Sequence, residues 1–276
     1  MELNVFHLFL WDPIALEGTP FAINRVVLLM FFAAFLCLAF FMAGAARSSS
    51  KPKGIGMLAE TAYLFVRNNI AIDVIGPKGA KYAPYLATVF FFIFFANLLE
   101  IFPGVYFPVT SRMALPAVLA FMTWIIFNFV GIKQHGFSYF KDTLFPPGVP
   151  WPIYFILTPI EFFSVFIIRP LTLAIRLFAN MMAGHVLLTV FVLFTEELIG
   201  SGVGTPLGVL TLVVICLLMI FELMVILIQA YIFTTLSAFY IGEALEGHGD
   251  HDSHEAHEGA HREHVTQQYE TEMSAA

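Results

Sequence analysis

The sequence predicts an all-α protein that crosses the membrane several times, and three observations carry the prediction. Of 276 residues, 59% are hydrophobic and only 12% charged, with a mean hydropathy of +0.83. A soluble domain sits nearer ~45–50% apolar and ~25% charged. Apolar stretches long enough to cross ~30 Å of hydrocarbon at ~1.5 Å per residue recur along the chain. Basic residues, finally, are confined almost entirely to alternate connections between those stretches. The architecture that follows is five crossings, an interfacial amphipathic helix, and a long, strongly tilted hairpin formed by the last two spans.

Residues 1–21 form an external lead broken by Asp12-Pro13 and Pro20. Glu2, Asp12 and Glu17 stand where a cleavable signal peptide carries positive charge, and the apolar run that follows is too long for a signal core. Residues 22–46 are the first span, stopped by Arg47, Lys51, Pro52 and Lys53. Within the linker 47–81, Ile55, Leu58, Ala62 and Phe65 make one helical stripe while Glu60 and Arg67 lie on another face. That pattern suits a helix lying in the membrane interface.

Residues 82–131 hold spans two (Tyr82 to Phe102) and three (Met113 to Gly131), joined through Pro103, Gly104 and Pro108. Residues 132–151 carry Pro146, Pro147 and Pro150 and read as a cytoplasmic surface link. The remaining apolar stretches, Pro152 to Glu196 and Thr205 to Leu245, are each longer than a perpendicular crossing needs, so they must tilt or bend. They form one unit, 152–246, around a turn at residues 200–205. Residues 247–276 are a His- and acid-rich tail, which holds much of the acid behind the net charge of −7.

Arg47, Lys51, Lys53, Arg67, Lys78 and Lys81 lie between spans one and two, and Lys133 and Lys141 between three and four; the opposite side holds only Arg112. This bias puts the N-terminus outside and the C-terminus in the cytoplasm. The acidic balance argues against nucleic acid as a partner. Cys37 and Cys216 fall in apolar spans and read as small hydrophobes. The tail histidines sit among acids with nothing to build a core, so they read as a solvated segment and not as a metal site.

Against this apolar background, RPLTLAIRLFANMMAGH (169–185) is unusual, with two arginines, an asparagine and a histidine. An arginine at bilayer depth costs ~2.5–3.5 kcal/mol on insertion scales, and a guanidinium cannot escape by losing its proton. Intramembrane ionisable groups mark ion pathways. If the last two spans run antiparallel, residues at one depth have a constant index sum. Arg176 and Gln229 sum to 405, His185 and Glu222 to 407, and half of either falls in the 200–205 turn. Two polar layers result. Asn180 is one helical turn past Arg176, Arg169 about two turns before it, and His185 points to the opposite side. Asn97, Thr123 and Asn128 read as interhelical hydrogen-bonding groups.

These residues carry a resemblance. RPLTLAIRLFANMMAGH followed by FELMVILIQAYIFTTLSAFYIGEAL resembles subunit a of F-type ATP synthases, and FFIFFANLLEIFPG is similar to an earlier helix of that family. The likeness covers most of residues 80–245. It implies an integral subunit of the bacterial plasma membrane that is the stator half of a rotary proton turbine. It implies no nucleotide site and no cofactor of its own. The implied partners are a rotor ring of c subunits, peripheral-stalk b subunits and the lipid bilayer. Arg176 would be the essential rotor-facing charge, separating two aqueous half-channels.

Asn180, Gln229, His185 and Glu222 would line the proton path, with Glu161, Asn97, Glu100 and Arg169 as secondary candidates. Some bacterial members have the 185 and 222 residue types exchanged, which two groups sharing one proton site would permit, and the pair favours protons over sodium. The spacing from Glu161 to Pro170 is one residue longer than the family pattern, and the tail has no counterpart in it. A haem subunit would need two histidines at membrane depth, where only His185 lies within a span. Another ion channel or transporter subunit with an intramembrane arginine is the alternative, but no inverted repeat relates the two halves.

Overall fold

The computed structural model describes residues 24–46, 54–102, 105, 107–136, 138–145, 151–200 and 205–246. The external lead, the 201–204 part of the turn and the tail lie outside the described residues. Every regular element described is helical: α1 (Arg25–Ala46), α2 (Ile55–Val66), α3 (Asp73–Ile75), α4 (Ala83–Leu98), α5 (Ala114–His135), α6 (Ser138–Leu144), α7 (Trp151–Phe163), α8 (Arg169–Gly200) and α9 (Thr205–Glu246). Among the described residues four stretches are long and apolar enough to cross a membrane: Arg25–Ala45, Ala114–His135, Trp151–Ile199 and Leu207–Glu246. α4 is equally apolar but has only 16 residues, a rise of ~24 Å.

The chain divides into two compact units, residues 1–120 with 171–238 and residues 121–170 with 239–276. In the first, α1 packs on α2 and α4. Gly44 permits the close approach to α2, because a Cβ there would stand 2.5 Å from that of Ala59. Phe40 and Phe41 of α1 meet Phe91 of α4 at 5.6 and 5.1 Å between ring centroids. Val26, Ala33, Ala96, Leu99, Phe107 and Val109 form a buried apolar cluster. Asn24 caps α1, its Oδ1 accepting from the Val27 amide at 3.0 Å.

The linker after α2 is less regular than one amphipathic helix. Arg67–Ile72 is a π-helical segment and Pro77–Lys81 a 3₁₀ turn leading into α4. The link read as a proline-rich surface segment also holds more helix than expected. α5 continues past Gly131 to His135 and stops at Gly136, whose φ of 62° suits a residue without a Cβ and whose amide reaches the Ile132 carbonyl. α6 follows. Its Tyr139 ring fills the space that the missing side chain of Gly131 leaves.

In the second unit Phe166 gathers Trp124, Phe140 and Phe162 at 5.0–6.0 Å. Phe166 lies in a π-helical segment, Ser164–Ile168, between α7 and α8. Pro170 explains the widening: it lacks an N–H and its ring crowds the carbonyl of residue 166, so the helix opens by one residue per turn instead of breaking. Hydroxyls in the long helices are satisfied locally. Thr189, Thr195, Thr234 and Ser237 each donate to the carbonyl four residues earlier, at 2.7–2.8 Å.

Candidate functional site

Arg176 lies on an exposed stripe of α8 with Thr172, Ala179, Ala183 and Leu187. Among the described residues its guanidinium makes no hydrogen bond or ion pair. One turn on, Asn180 Nδ2 donates to Gln229 Oε1 of α9 at 2.8 Å. Gln229 is 1% exposed, and its own Nε2 is buried with no hydrogen-bond partner among the described residues. The upper polar layer read from the index sums is therefore held by Asn180 and Gln229, with Arg176 left free beside it.

The second layer is a cluster of three. His185 Nδ1 stands 3.4 Å from Glu100 Oε1, and Glu222 meets the same Glu100. His185 is 8% exposed, and Glu100 and Glu222 are 3% exposed each. The Phe107 ring faces the imidazole edge-on at 5.4 Å. Gly184 provides the room for the acid of α9, since a Cβ there would lie 2.6 Å from the Glu222 carboxyl carbon. Two carboxyls and an imidazole out of bulk water can pass protons among themselves. Among the described residues neither oxygen of Glu100 nor Glu222 Oε1 has a hydrogen-bond partner.

Gly184→Ala is accordingly expected to push the Glu222 carboxyl away from Glu100. Proton flux through the assembled complex should fall about 3- to 10-fold, as expected for overpacking of ~1 kcal/mol or more. Shortening the acid by Glu222→Asp in the same chain should recover part of it. Flux in vesicles carrying each variant checks both.

Asn97 is fully buried; its Oδ1 accepts from Thr110 Oγ1, and its Nδ2 has no hydrogen-bond partner among the described residues. Glu100 follows it by three residues, just past the end of α4. Glu161 is half-buried on α7 in the other unit, with no hydrogen bond or ion pair among the described residues. Arg169 also lies in that unit, bound to Glu243, a residue that sequence reasoning passed over. Its signal was available: 169 and 243 sum to 412, close to the sums of the other two layers. Nearby, burial pushes the Tyr139 phenol up to about 12, with Arg169 opposing and Glu243 adding to the shift. Tyr139 therefore stays a neutral hydroxyl at physiological pH.

Comparison with known proteins gives one family. The family described as ATP synthase A chain matches residues 27–242. ATP synthase subunit a of Frankia alni is 44% identical over 251 residues, covering 90% of this chain and 86% of the relative. That of a Parafrankia species is 42% identical over 260 residues, covering 94% and 88%, and that of Rhodococcus erythropolis 39% over 241 residues, covering 86% and 88%.

Proposed function

This chain belongs to the ATP synthase A chain family, and on that premise we propose how it carries protons: Arg176 faces a rotor ring and the Glu100–His185–Glu222 cluster feeds protons to it. ATP synthesis, proton transport and an integral place in a membrane follow from the family and the apolar helices together. The observation that carries the finer reading is a free guanidinium on an exposed stripe of a membrane helix. An ionised group is retained there at considerable cost, and it needs a partner outside the chain.

That partner is a ring of small c subunits, each bearing a carboxyl group. Facing lipid, such a carboxyl is held neutral by burial. Opposite Arg176 it ionises: at ~4 Å and an effective dielectric of ~20 the attraction is about 4 kcal/mol. Before desolvation is subtracted, that lowers the carboxyl's proton affinity about a thousandfold. The proton leaves by a cytoplasmic half-channel, and the next carboxyl is reloaded from an external one. Ala179 and Ala183, small and on the Arg176 stripe, allow a rotor helix to come close.

Glu100, His185 and Glu222 form the external inlet. Water reaches Glu100, whose unpartnered oxygen accepts a hydrogen bond from it, and protons pass across the three side chains toward the rotor. Asn180 and Gln229 hold the two long helices together beside Arg176, so that the charge keeps its position as the ring turns. The last two spans form a tilted hairpin following the ring's curve, in a chain of five crossings with its N-terminus outside and peripheral-stalk b subunits alongside. Asn97 and Thr110 extend the polar path outward.

The test uses the assembled complex in membrane vesicles. His185→Gln or Glu222→Gln alone should slow proton flux about 3- to 10-fold, less than the ~10²–10⁴ typical of a lone general acid or base, because two of the three groups remain. The exchange His185→Glu with Glu222→His should recover part of it, because the same two groups again flank Glu100. An exchanged pair as slow as the worse single variant would rule out a shared proton site.

A further inference from the structure

The two arginines of α8 differ in what holds them. Arg169 is held in a two-pronged ion pair, Nη1 to Glu243 Oε2 and Nη2 to Glu243 Oε1, both at 2.7 Å. The Tyr240 ring lies 5.4 Å from its guanidinium carbon. Both partners are mostly withdrawn from solvent, with side chains 19% and 18% exposed. Arg176, seven residues on and almost two full turns along the same helix, has no partner among the described residues.

Two guanidinium groups so spaced on one helix present two positive charges to any acid that passes along it. An acid caught by the wrong one would stop where no proton path serves it. We propose that Glu243 is a positioning residue that silences Arg169, so that the chain offers a passing rotor carboxylate a single arginine. The inference rests on the reading of Arg176 as the rotor-facing charge.

The geometry favours silencing over proton relay. Both oxygens of Glu243 are occupied by the guanidinium, and a fork-to-fork pair of this kind is among the strongest and most directional available to a carboxylate. A carboxylate so engaged is a poor carrier. Arg169, its forward-facing N–H groups committed, is a poor competitor.

Silencing predicts an asymmetry between the partners. In inverted vesicles carrying the assembled complex, Glu243→Gln should cut both ATP synthesis and ATP-driven proton pumping about tenfold or more, because it frees a buried cation that then seeks another anion. Arg169→Gln should stay within about twofold of the parent, because no competing positive charge remains. The double variant Arg169→Gln with Glu243→Gln should also return to within about twofold, and Glu243→Asp should retain most activity by keeping the charge. A pair that only ties two helices together would lose equally from either side, and its double variant would stay slow. Equal losses from Arg169→Gln and Glu243→Gln would overturn the proposal, as would a double variant no better than Glu243→Gln. The amount of rotor ring co-purifying with each variant monitors assembly; should Glu243→Gln fail to assemble, a near-parental Arg169→Gln supports silencing and an impaired one overturns it. Arg176→Gln separates the two readings. If it retains coupled synthesis, the rotor-facing role falls whatever the pair does; if it abolishes synthesis while Glu243→Gln runs at the parental rate, only the silencing role falls.

Discussion

Arg176→Lys is expected to abolish proton-driven ATP synthesis, to below about 1% of the parent rate, the scale set by removing ~3–4 kcal/mol from a required electrostatic step. Lysine is the closest charge-conserving change, and it fails for a physical reason. An ammonium group with no ionised neighbour in a low-dielectric setting can shed its proton, whereas a guanidinium cannot. Lysine also presents a compact point charge where arginine offers a planar fork. Arg176→Ala is expected to go further and add a passive leak, since on the proposed mechanism this charge is what would keep the two half-channels apart. Quenching of a pH-sensitive dye in vesicles reads the leak, and growth on a non-fermentable carbon source reads coupling. Growth of the lysine variant at the parental rate would contradict the assignment.

Glu100→Ala is the second large effect: proton flux is expected to fall by more than tenfold, beyond either His185→Gln or Glu222→Gln, as removing a central proton-transfer group costs up to ~10²–10⁴. The topology of the cluster gives the reason. Glu100 touches both of the others, so its loss removes the group through which the other two would exchange protons, whereas losing an end leaves Glu100 with one partner. The variant is also expected to expose the cluster to no extra leak, because Arg176 is untouched. Flux measured under an imposed pH gradient ranks the three; a Glu100 variant milder than both others would remove it from the path.

Much of the site was legible because charge in an apolar background is conspicuous. Arg176, Asn180, His185, Glu222 and Gln229 declared themselves by composition, and the constant index sum placed them in layers without coordinates. Which side chain touches which was not legible. Glu100 reaches His185 only because the end of α4 packs beside both long helices, and nothing in the local pattern of NLLEIF says so. Glu243 was passed over because an acid close to a polar tail reads as solvated, whereas here it faces an arginine. Periodicity found the long helices but placed the link 132–151 as irregular, since prolines dominate its second half and mask the seven-residue α6. The irregular turns near Pro170 could be expected from the proline, but their widening into a π segment could not be told from a kink.

The brevity of α4 has an electrical consequence. At ~24 Å it is roughly 6 Å shorter than an ordinary hydrocarbon slab, and as the second of the five proposed crossings it would call for a locally thinned bilayer or snorkelling flanks. Voltage falls across the insulating layer, so a thinner insulator carries a steeper gradient. Glu100 stands just past the end of this helix, and on the proposed inlet an inbound cation would reach it after crossing little of the voltage drop. Nearly all of the ~2.3 kcal/mol per 100 mV would then be available to the transfers deeper in the protein, where it can turn a shaft.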